Sequence, residues 1–257
     1  MEIFHSITLG IVEGLTEFLP VSSTAHIDIV RSLLAIPATD FVKSFEIIIQ
    51  LGAIMAVVVL YFKKIFSWKV IKSLFIAFVP TGILGFILYK IIKVYLLGNT
   101  FVIAMALILG GAIIILFERN YNHAVEEDRD IEDLSTIELL SLGTAQALAV
   151  IPGVSRSGAV IIFGRLIKIP RKLITEFSFM LAVPTMLAAT LYDIYNSGLS
   201  MTSSQWGSIG IGFIVSFIVA YFVIKIFLDY IRKNSFEVFG WYRIILGFVI
   251  ILVLFNS

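Results

Sequence analysis

Six stretches of this chain stay apolar long enough to cross a bilayer: Phe45–Phe62, Lys72–Ile92, Thr100–Phe117, Glu176–Tyr195, Trp206–Leu228 and Val238–Phe255. A spanning α-helix takes about 20 mostly apolar residues. A chain in lipid must satisfy its backbone N–H and C=O groups internally, which leaves helices or a closed barrel, and runs of this length select helices. Composition agrees, with 59% hydrophobic and 14% charged residues against about 25% charged in a soluble domain. Mean hydropathy is +1.02. The net charge of +1 gives no field that would draw nucleic acid. The absence of cysteine excludes disulfides, thiolate metal sites and cysteine nucleophiles. His5, His26 and His123 are the only histidines, so a metal site would rest mainly on oxygen ligands. Ile3–Val12 lacks a basic segment before it and runs straight into Glu13 and Glu17, so it reads as part of the mature chain rather than a signal peptide.

Two further regions are apolar but broken: Ile3–Ile36 at Pro20, and Ile137–Ile169 at Pro152-Gly153. Each divides into pieces of roughly 10–16 residues, a length that suits a re-entrant segment better than a full span. Irregular backbone at membrane depth is tolerated where it is buried in protein or lines a wet cavity. The two regions also resemble each other at an offset of 133 positions. Leu9-Gly10 falls on Leu142-Gly143, Glu13 on Gln146, Val21-Ser22 on Val154-Ser155, Thr24 on Ser157 and Ile36-Pro37 on Ile169-Pro170. One gap later Ser44–Ala56 aligns with Glu176–Ala188. The expectation is a single all-α membrane domain over residues 1–257. It has six spans and two re-entrant helix pairs, as inverted repeats of about 1–117 and 137–257 joined by an acidic loop at 118–136.

Charge sets the orientation. With Lys63, Lys64, Lys69 and Lys72 in the cytoplasm, Arg119, Arg129, Arg165, Lys168, Arg171, Lys172, Lys225, Arg232 and Lys233 also fall inside. Arg31, Lys43, Lys90 and Lys93 fall outside, a ratio of 13 to 4 that leaves out Arg156 and Arg243 at the membrane. The first broken region then enters from outside and the second from inside, so their tips meet. The 118–136 loop reads as a solvated cytoplasmic connector.

The polar residues gather at the breaks. Glu13 and Glu17 lie four apart on one helical face. Two such carboxylates at low dielectric need a cation or a shared proton, and Mg²⁺ or Ca²⁺ is one solution. Ser22, Ser23 and Thr24 offer hydroxyls and amides at a helix start, which suits an anion, and His26 follows within a turn. The second break supplies Ser155, Arg156 and Ser157. An arginine at membrane depth points to function, and a guanidinium pairs well with phosphate. Cation site, anion cradle, hydroxyl and acid/base group together suit phosphoryl transfer. The plainer readings are a Glu–Arg156 ion pair across the repeats, and serines and threonines that only bond helix to helix. One arginine does not balance two glutamates. His5 and His123 fall outside the cluster, and Gln50 and Asp193 read as packing or boundary groups. Asp28 reads either as an exposed edge or as a third acid near the site.

EGLTEFLPVSSTAH (Glu13–His26), PGVSRSG (Pro152–Gly158), FEIIIQLGAIMAVV (Phe45–Val58) and EFSFMLAVP (Glu176–Pro184) make the chain resemble, over nearly its whole length, the undecaprenyl-diphosphate phosphatase family linked to bacitracin resistance. The resemblance implies an enzyme of the bacterial cytoplasmic membrane that hydrolyses undecaprenyl diphosphate to undecaprenyl phosphate and inorganic phosphate on the outer side. It implies six spans and two inverted re-entrant pairs. Glu13 and Glu17 would hold the divalent cation and take part in acid/base work, Ser23 would be the essential hydroxyl with His26 close by, and Arg156 would bind the diphosphate between Ser155 and Ser157. Ser22 and Thr24 would complete the cradle. Val160 stands where the family's PGxSRSxxT pattern has threonine, and Ala25 where it has glycine. Three chemical routes stay open: attack by Ser23 with Glu17 or His26 as base, attack by His26, or direct attack by water. The competing class is a lipid flippase or ion-coupled transporter on the same repeats. Expected partners are the C55 lipid substrate, membrane lipid and, optionally, a second copy of the chain as a homodimer, with no nucleic acid.

Overall fold

The computed structural model describes residues 1–91, 96, 99–120, 129–197 and 201–256, and among them there are helices and no strands. His123 and Lys93, with the side chains of Lys90 and Asp193, lie outside the described residues. Among the described residues eleven α-helices follow one another: α1 Ile3–Thr16, α2 Ser23–Leu33, α3 Asp40–Leu60, α4 Phe62–Ile65, α5 Trp68–Ile91, α6 Thr100–Asn120, α7 Thr136–Ala147, α8 Arg156–Leu166, α9 Arg171–Ser197, α10 Ser203–Ile231 and α11 Glu237–Asn256. Six of these, α3, α5, α6, α9, α10 and α11, are long and apolar enough to cross a membrane. The chain is an integral membrane protein. All six expected spans are present, and α3, α5, α9 and α10 start three to five residues earlier than hydropathy alone suggests. The reason is polar chemistry at the helix start, such as the Thr39 hydroxyl that accepts the Val42 N–H at 3.3 Å before α3.

Both broken regions fold as two short helices around an irregular tip. α1 stops at Thr16 and α2 begins at Ser23, while α7 stops at Ala147 and α8 begins at Arg156 after a 3₁₀ turn at Leu148–Val150. α2 and α8 end alike. Ala35 (φ 52°) and Lys168 (φ 65°) turn left-handed, and the N–H groups of Ile36 and Ile169 return to the carbonyls of Arg31 and Gly164 at 3.0 and 2.9 Å. This is the Schellman stop, followed in both cases by proline.

Helix α1 packs on α10 and α7 on α5, while α3 meets α9 and α6 meets α11. Glycine allows the close approaches. A Cβ at Gly143 of α7 would run into the Ala77 carbonyl of α5, and one at Gly10 of α1 would stand 2.8 Å from the Gly212 carbonyl of α10. The main apolar core wraps the meeting point of the two tips, with Phe18 edge-on to Phe179 at 5.0 Å. Val160 is fully buried in this core, so its methyl groups fill apolar space.

The described ends of the acidic loop are docked, which departs from a purely solvated connector. Ile131 is fully buried, Glu118 pairs with Arg171 at 3.1 Å and Lys64 with Asp130 at 2.9 Å. The Lys64 ammonium, helped by the Ile131 N–H, holds the Asp130 carboxyl below the usual carboxylate range.

Candidate active site

Helix α1 ends in the turn that carries Glu17, and the chain then reverses through Pro20 so that Ser23 opens α2. That reversal brings the Ser23 hydroxyl onto Glu17, donating to Oε2 at 2.5 Å. The other oxygen of Glu17 accepts from Arg156 Nη2 at 2.7 Å, across 139 positions of sequence. Arg156 opens α8 and also donates through Nη1 to the Ser178 carbonyl at 3.1 Å. One carboxylate thus joins the hydroxyl of the first break to the guanidinium of the second, and all three residues are buried.

Four buried polar atoms around this pair have no hydrogen-bond partner among the described residues: both carboxylate oxygens of Glu13, Nε of Arg156 and the Ser178 hydroxyl oxygen. Glu13 is completely buried and lies beside Glu17. Two carboxylates can bond to each other only when they share a proton. Native interiors leave few such groups unpaired, so a concentration of them beside an Arg–Glu pair marks a place built for a polar ligand. The Glu–Arg ion pair weighed from sequence does form, but it uses Glu17 and leaves Glu13 over. At the position aligned with Glu13, Gln146 is neutral and donates to Thr81 and Thr185 at 3.0 and 2.9 Å. The negative charge therefore belongs to one half only.

The hydroxyls divide by role. Ser155 caps α8, accepting the Gly158 N–H at 3.1 Å, and lies 3.0 Å from Ser157 Oγ. Ser157 donates to the Leu19 carbonyl at 3.2 Å and so ties α8 to the first tip. Ser22 is buried at φ 70° and its side chain does not cap α2. The first amides of α2 are thereby left without a side-chain partner, the arrangement that favours an anion. Thr24 is exposed, unlike Ser22 and Ser23. His26 is half-buried, with Nδ1 2.8 Å from the Ser22 carbonyl and Nε2 2.7 Å from the Tyr242 hydroxyl. His5 sits at the start of α1, in a capping box with Glu2. Asp28 pairs with Arg31 at 2.9 Å, and Arg31 also reaches Glu46 at 3.3 Å. Asp28 is therefore paired rather than bare, and Arg31 links it to Glu46.

Three residues of the site carry no functional role in the sequence motifs, although Arg243 stands out there as an arginine at the membrane. Ser178 of α9 presents its carbonyl to Arg156, and Tyr242 of α11 meets His26. Arg243 is buried and donates through Nη1 to the Pro20 carbonyl at 3.1 Å and through Nη2 to the carbonyls of Gly153 and Ala106, each at 3.0 Å. Pro20 and Gly153 are the residues at which the two helices break, and the 133-residue offset places one on the other. A lone arginine in the apolar run of α11 is the signal that marks it.

Beside this junction lies a groove of about 540 Å³ between α6 and the α7–α8 pair, lined by residues such as Met105, Leu109, Ile113, Ile162 and Phe163. Ser155 and Arg243 are the polar side chains in its wall.

Six spans, two broken helical regions and a buried carboxylate–hydroxyl–guanidinium cluster where those regions meet define a polytopic membrane protein with its reactive groups inside the bundle. The chain belongs to the bacitracin resistance protein BacA family, which it matches over residues 6–249. An undecaprenyl-diphosphatase of Aquifex aeolicus is 49% identical over 247 residues, covering 96% of each chain. The undecaprenyl-diphosphatase of Wolinella succinogenes is 47% identical over 255 residues, covering 99% of each. That of Campylobacter jejuni is 45% identical over 251 residues, covering 97% of this chain and 93% of the relative.

Proposed function

We propose that this chain hydrolyses undecaprenyl diphosphate to undecaprenyl phosphate and inorganic phosphate, regenerating a lipid carrier. The observation that carries the reading is the Glu17 carboxylate shared between the Ser23 hydroxyl and Arg156, ringed by unsatisfied donors and acceptors. Family membership and the names of the relatives agree with it. The competing transporter reading draws on the inverted repeats, the broken helices and the polar residues at their tips, and it does not call for a hydroxyl and an arginine on one carboxylate.

Ser23 Oγ attacks the terminal phosphorus while Glu17 takes the hydroxyl proton. The bond from that phosphorus to the bridging oxygen breaks, and undecaprenyl phosphate leaves. Glu17 passes that proton to the departing undecaprenyl phosphate. Water then attacks the phosphoserine, Glu17 takes a proton from the water, and it returns that proton to Ser23 Oγ as the P–O bond breaks and inorganic phosphate departs. Arg156 offers its free Nε–H to the phosphoryl oxygens, and the uncapped amides at the start of α2 face the same charge. The apolar groove beside Ser155 and Arg243 suits the first part of the prenyl chain. The exchange of partners, α1 with α10 against α7 with α5, supports an inverted duplication, and the positive-inside count supports a site that opens outward.

The residues present fit a divalent cation. Glu13 offers two free oxygens, and no group of three or more metal-binding side chains is found among the described residues. Mg²⁺ commonly takes one or two carboxylates and completes its shell with water and phosphate oxygens. Glu13 and Glu17 would hold it, and when bound it would offset phosphate charge. Glu13→Gln is expected to weaken Mg²⁺ or Ca²⁺ binding to the detergent-solubilised protein by about tenfold or more, measured by calorimetric titration without substrate. Unchanged binding would rule Glu13 out as a ligand.

The decisive assay is phosphate release from undecaprenyl diphosphate in detergent, where there is no membrane to cross. The purified protein is expected to turn over, and Ser23→Ala to lose at least about 10³-fold. A wild-type protein that releases no phosphate refutes the enzyme. Ser23→Ala with near-normal turnover refutes the nucleophile.

A further inference from the structure

The imidazole of His26 is held at both nitrogens. Nδ1 lies 2.8 Å from the Ser22 carbonyl, which can only accept, so Nδ1 carries the proton. The lone pair of the neutral ring is then on Nε2, and the Tyr242 hydroxyl donates to it at 2.7 Å. The two ring planes lie within 4° of each other with centroids 5.6 Å apart. Neither nitrogen is left for Ser23, whose hydroxyl already donates to Glu17.

What the imidazole does hold is the residue just before the nucleophile. Ser22 turns at φ 70° and ψ 95°, outside the regions open to an ordinary side chain. Its own hydroxyl does not cap the helix, and the backbone N–H of His26 reaches its carbonyl only at 3.4 Å. The imidazole bond to that carbonyl is the shorter of the two. A non-glycine residue in such a conformation persists only when its surroundings over-determine it, and relaxing it would turn Ser23 away from Glu17.

We propose that His26 is a positioning residue rather than the base or the nucleophile, and that Tyr242 is a second positioning residue acting through it. The chain Tyr242–His26–Ser22 is a clamp that keeps the strained turn closed and Ser23 aimed at Glu17. Proton transfer in the reaction then rests on Glu17. This deepens the reading of the chain as a lipid diphosphatase and rests on it.

Asparagine tests the clamp, because its side-chain amide nitrogen can stand where Nδ1 stands yet cannot take a proton at neutral pH. His26→Ala is expected to lose about 10²-fold in kcat, whereas His26→Asn stays within about tenfold of wild type. Tyr242→Phe is expected to cost about fivefold in the wild-type background and nothing in the His26→Asn background, where the chain to Tyr242 is already cut. His26→Asn as inactive as His26→Ala, or a Tyr242→Phe penalty equal in both backgrounds, overturns the proposal. A readout independent of turnover is ¹⁵N NMR of histidine-labelled protein in detergent. The resonances lost in His26→Asn should report the Nδ1–H tautomer, and an Nε2–H tautomer overturns the clamp. A wild-type protein that releases no phosphate would instead refute the diphosphatase reading, so the two failures are distinct.

Discussion

Arg156→Ala is expected to reduce phosphate release from the lipid diphosphate by at least about 10³-fold, the scale on which arginines that stabilise phosphoryl transfer act. The substitution removes the guanidinium that joins Glu17 to the Ser178 carbonyl, together with the free Nε–H that awaits a phosphate oxygen. It also strands Glu17 as a buried charge, which typically destabilises by about 3–5 kcal/mol. A loss of activity through unfolding must therefore be separated from a loss of chemistry, and two companions do this. Arg156→Lys keeps a positive charge beside Glu17 but presents one compact ammonium in place of a planar fork. Arg156→Gln with Glu17→Gln removes both charges at once. Arg156→Lys should melt close to wild type in detergent and still lose most of its turnover. Near-normal turnover in Arg156→Ala would remove Arg156 from the substrate site.

The polar motifs around the two breaks were legible because lipid makes polar residues conspicuous. Glu13, Glu17, Ser23, His26 and Arg156 stand out against apolar neighbours, and the structure gathers them around the two tips. The six spans were legible for the same reason. Division of labour within the motif was not. Ser22, Ser23 and Thr24 are consecutive, but a left-handed turn at Ser22 and the start of α2 send Ser23 to Glu17 and leave Thr24 exposed. No spacing rule announces that turn, since serine is not the residue expected at φ 70°. Ser155 and Ser157 read as phosphate ligands, and the structure spends their hydroxyls on capping α8 and tying it to Leu19. Asp28 found its partner one turn away, which i,i+3 spacing with Arg31 could have suggested. Arg243 was visible as an arginine at the membrane, but its role and that of Tyr242 were not legible, because α11 is far along the chain and only tertiary packing brings it to Pro20 and His26.

Arg243→Met is expected to lower the melting temperature in detergent by about 10 °C or more even without substrate, and to cut turnover by more than tenfold. The physical reason is the set of acceptors that the guanidinium serves. Three carbonyls, those of Pro20, Gly153 and Ala106, receive its Nη hydrogens at 3.0–3.1 Å, and Nε stands 3.4 Å from the Leu107 carbonyl. The carbonyls of Pro20 and Gly153 lie in the irregular tips, and each left without a donor costs about 1–3 kcal/mol, while those of Ala106 and Leu107 lie within α6; part of the cost is recovered because an apolar side chain escapes the penalty of burying a cation. Methionine fills much of the same volume, so cavity formation contributes little. Gly110 shows how closely the site is fitted, because a Cβ there would collide with the guanidinium. Arg243→Lys separates charge from geometry: an ammonium has three donors and no planar fork, so it can serve part of the set and should fall between wild type and methionine in both melting and rate. With the two tips free to drift apart, Ser23 and Glu17 on one side lose register with Arg156 on the other, and misplacement of this kind by about 1 Å costs on the order of 10²-fold in rate. The order of effects matters. If Arg243 is the tie between the breaks, stability falls first and activity follows from it. Activity lost at an unchanged melting temperature would instead place Arg243 among the groups that hold the substrate.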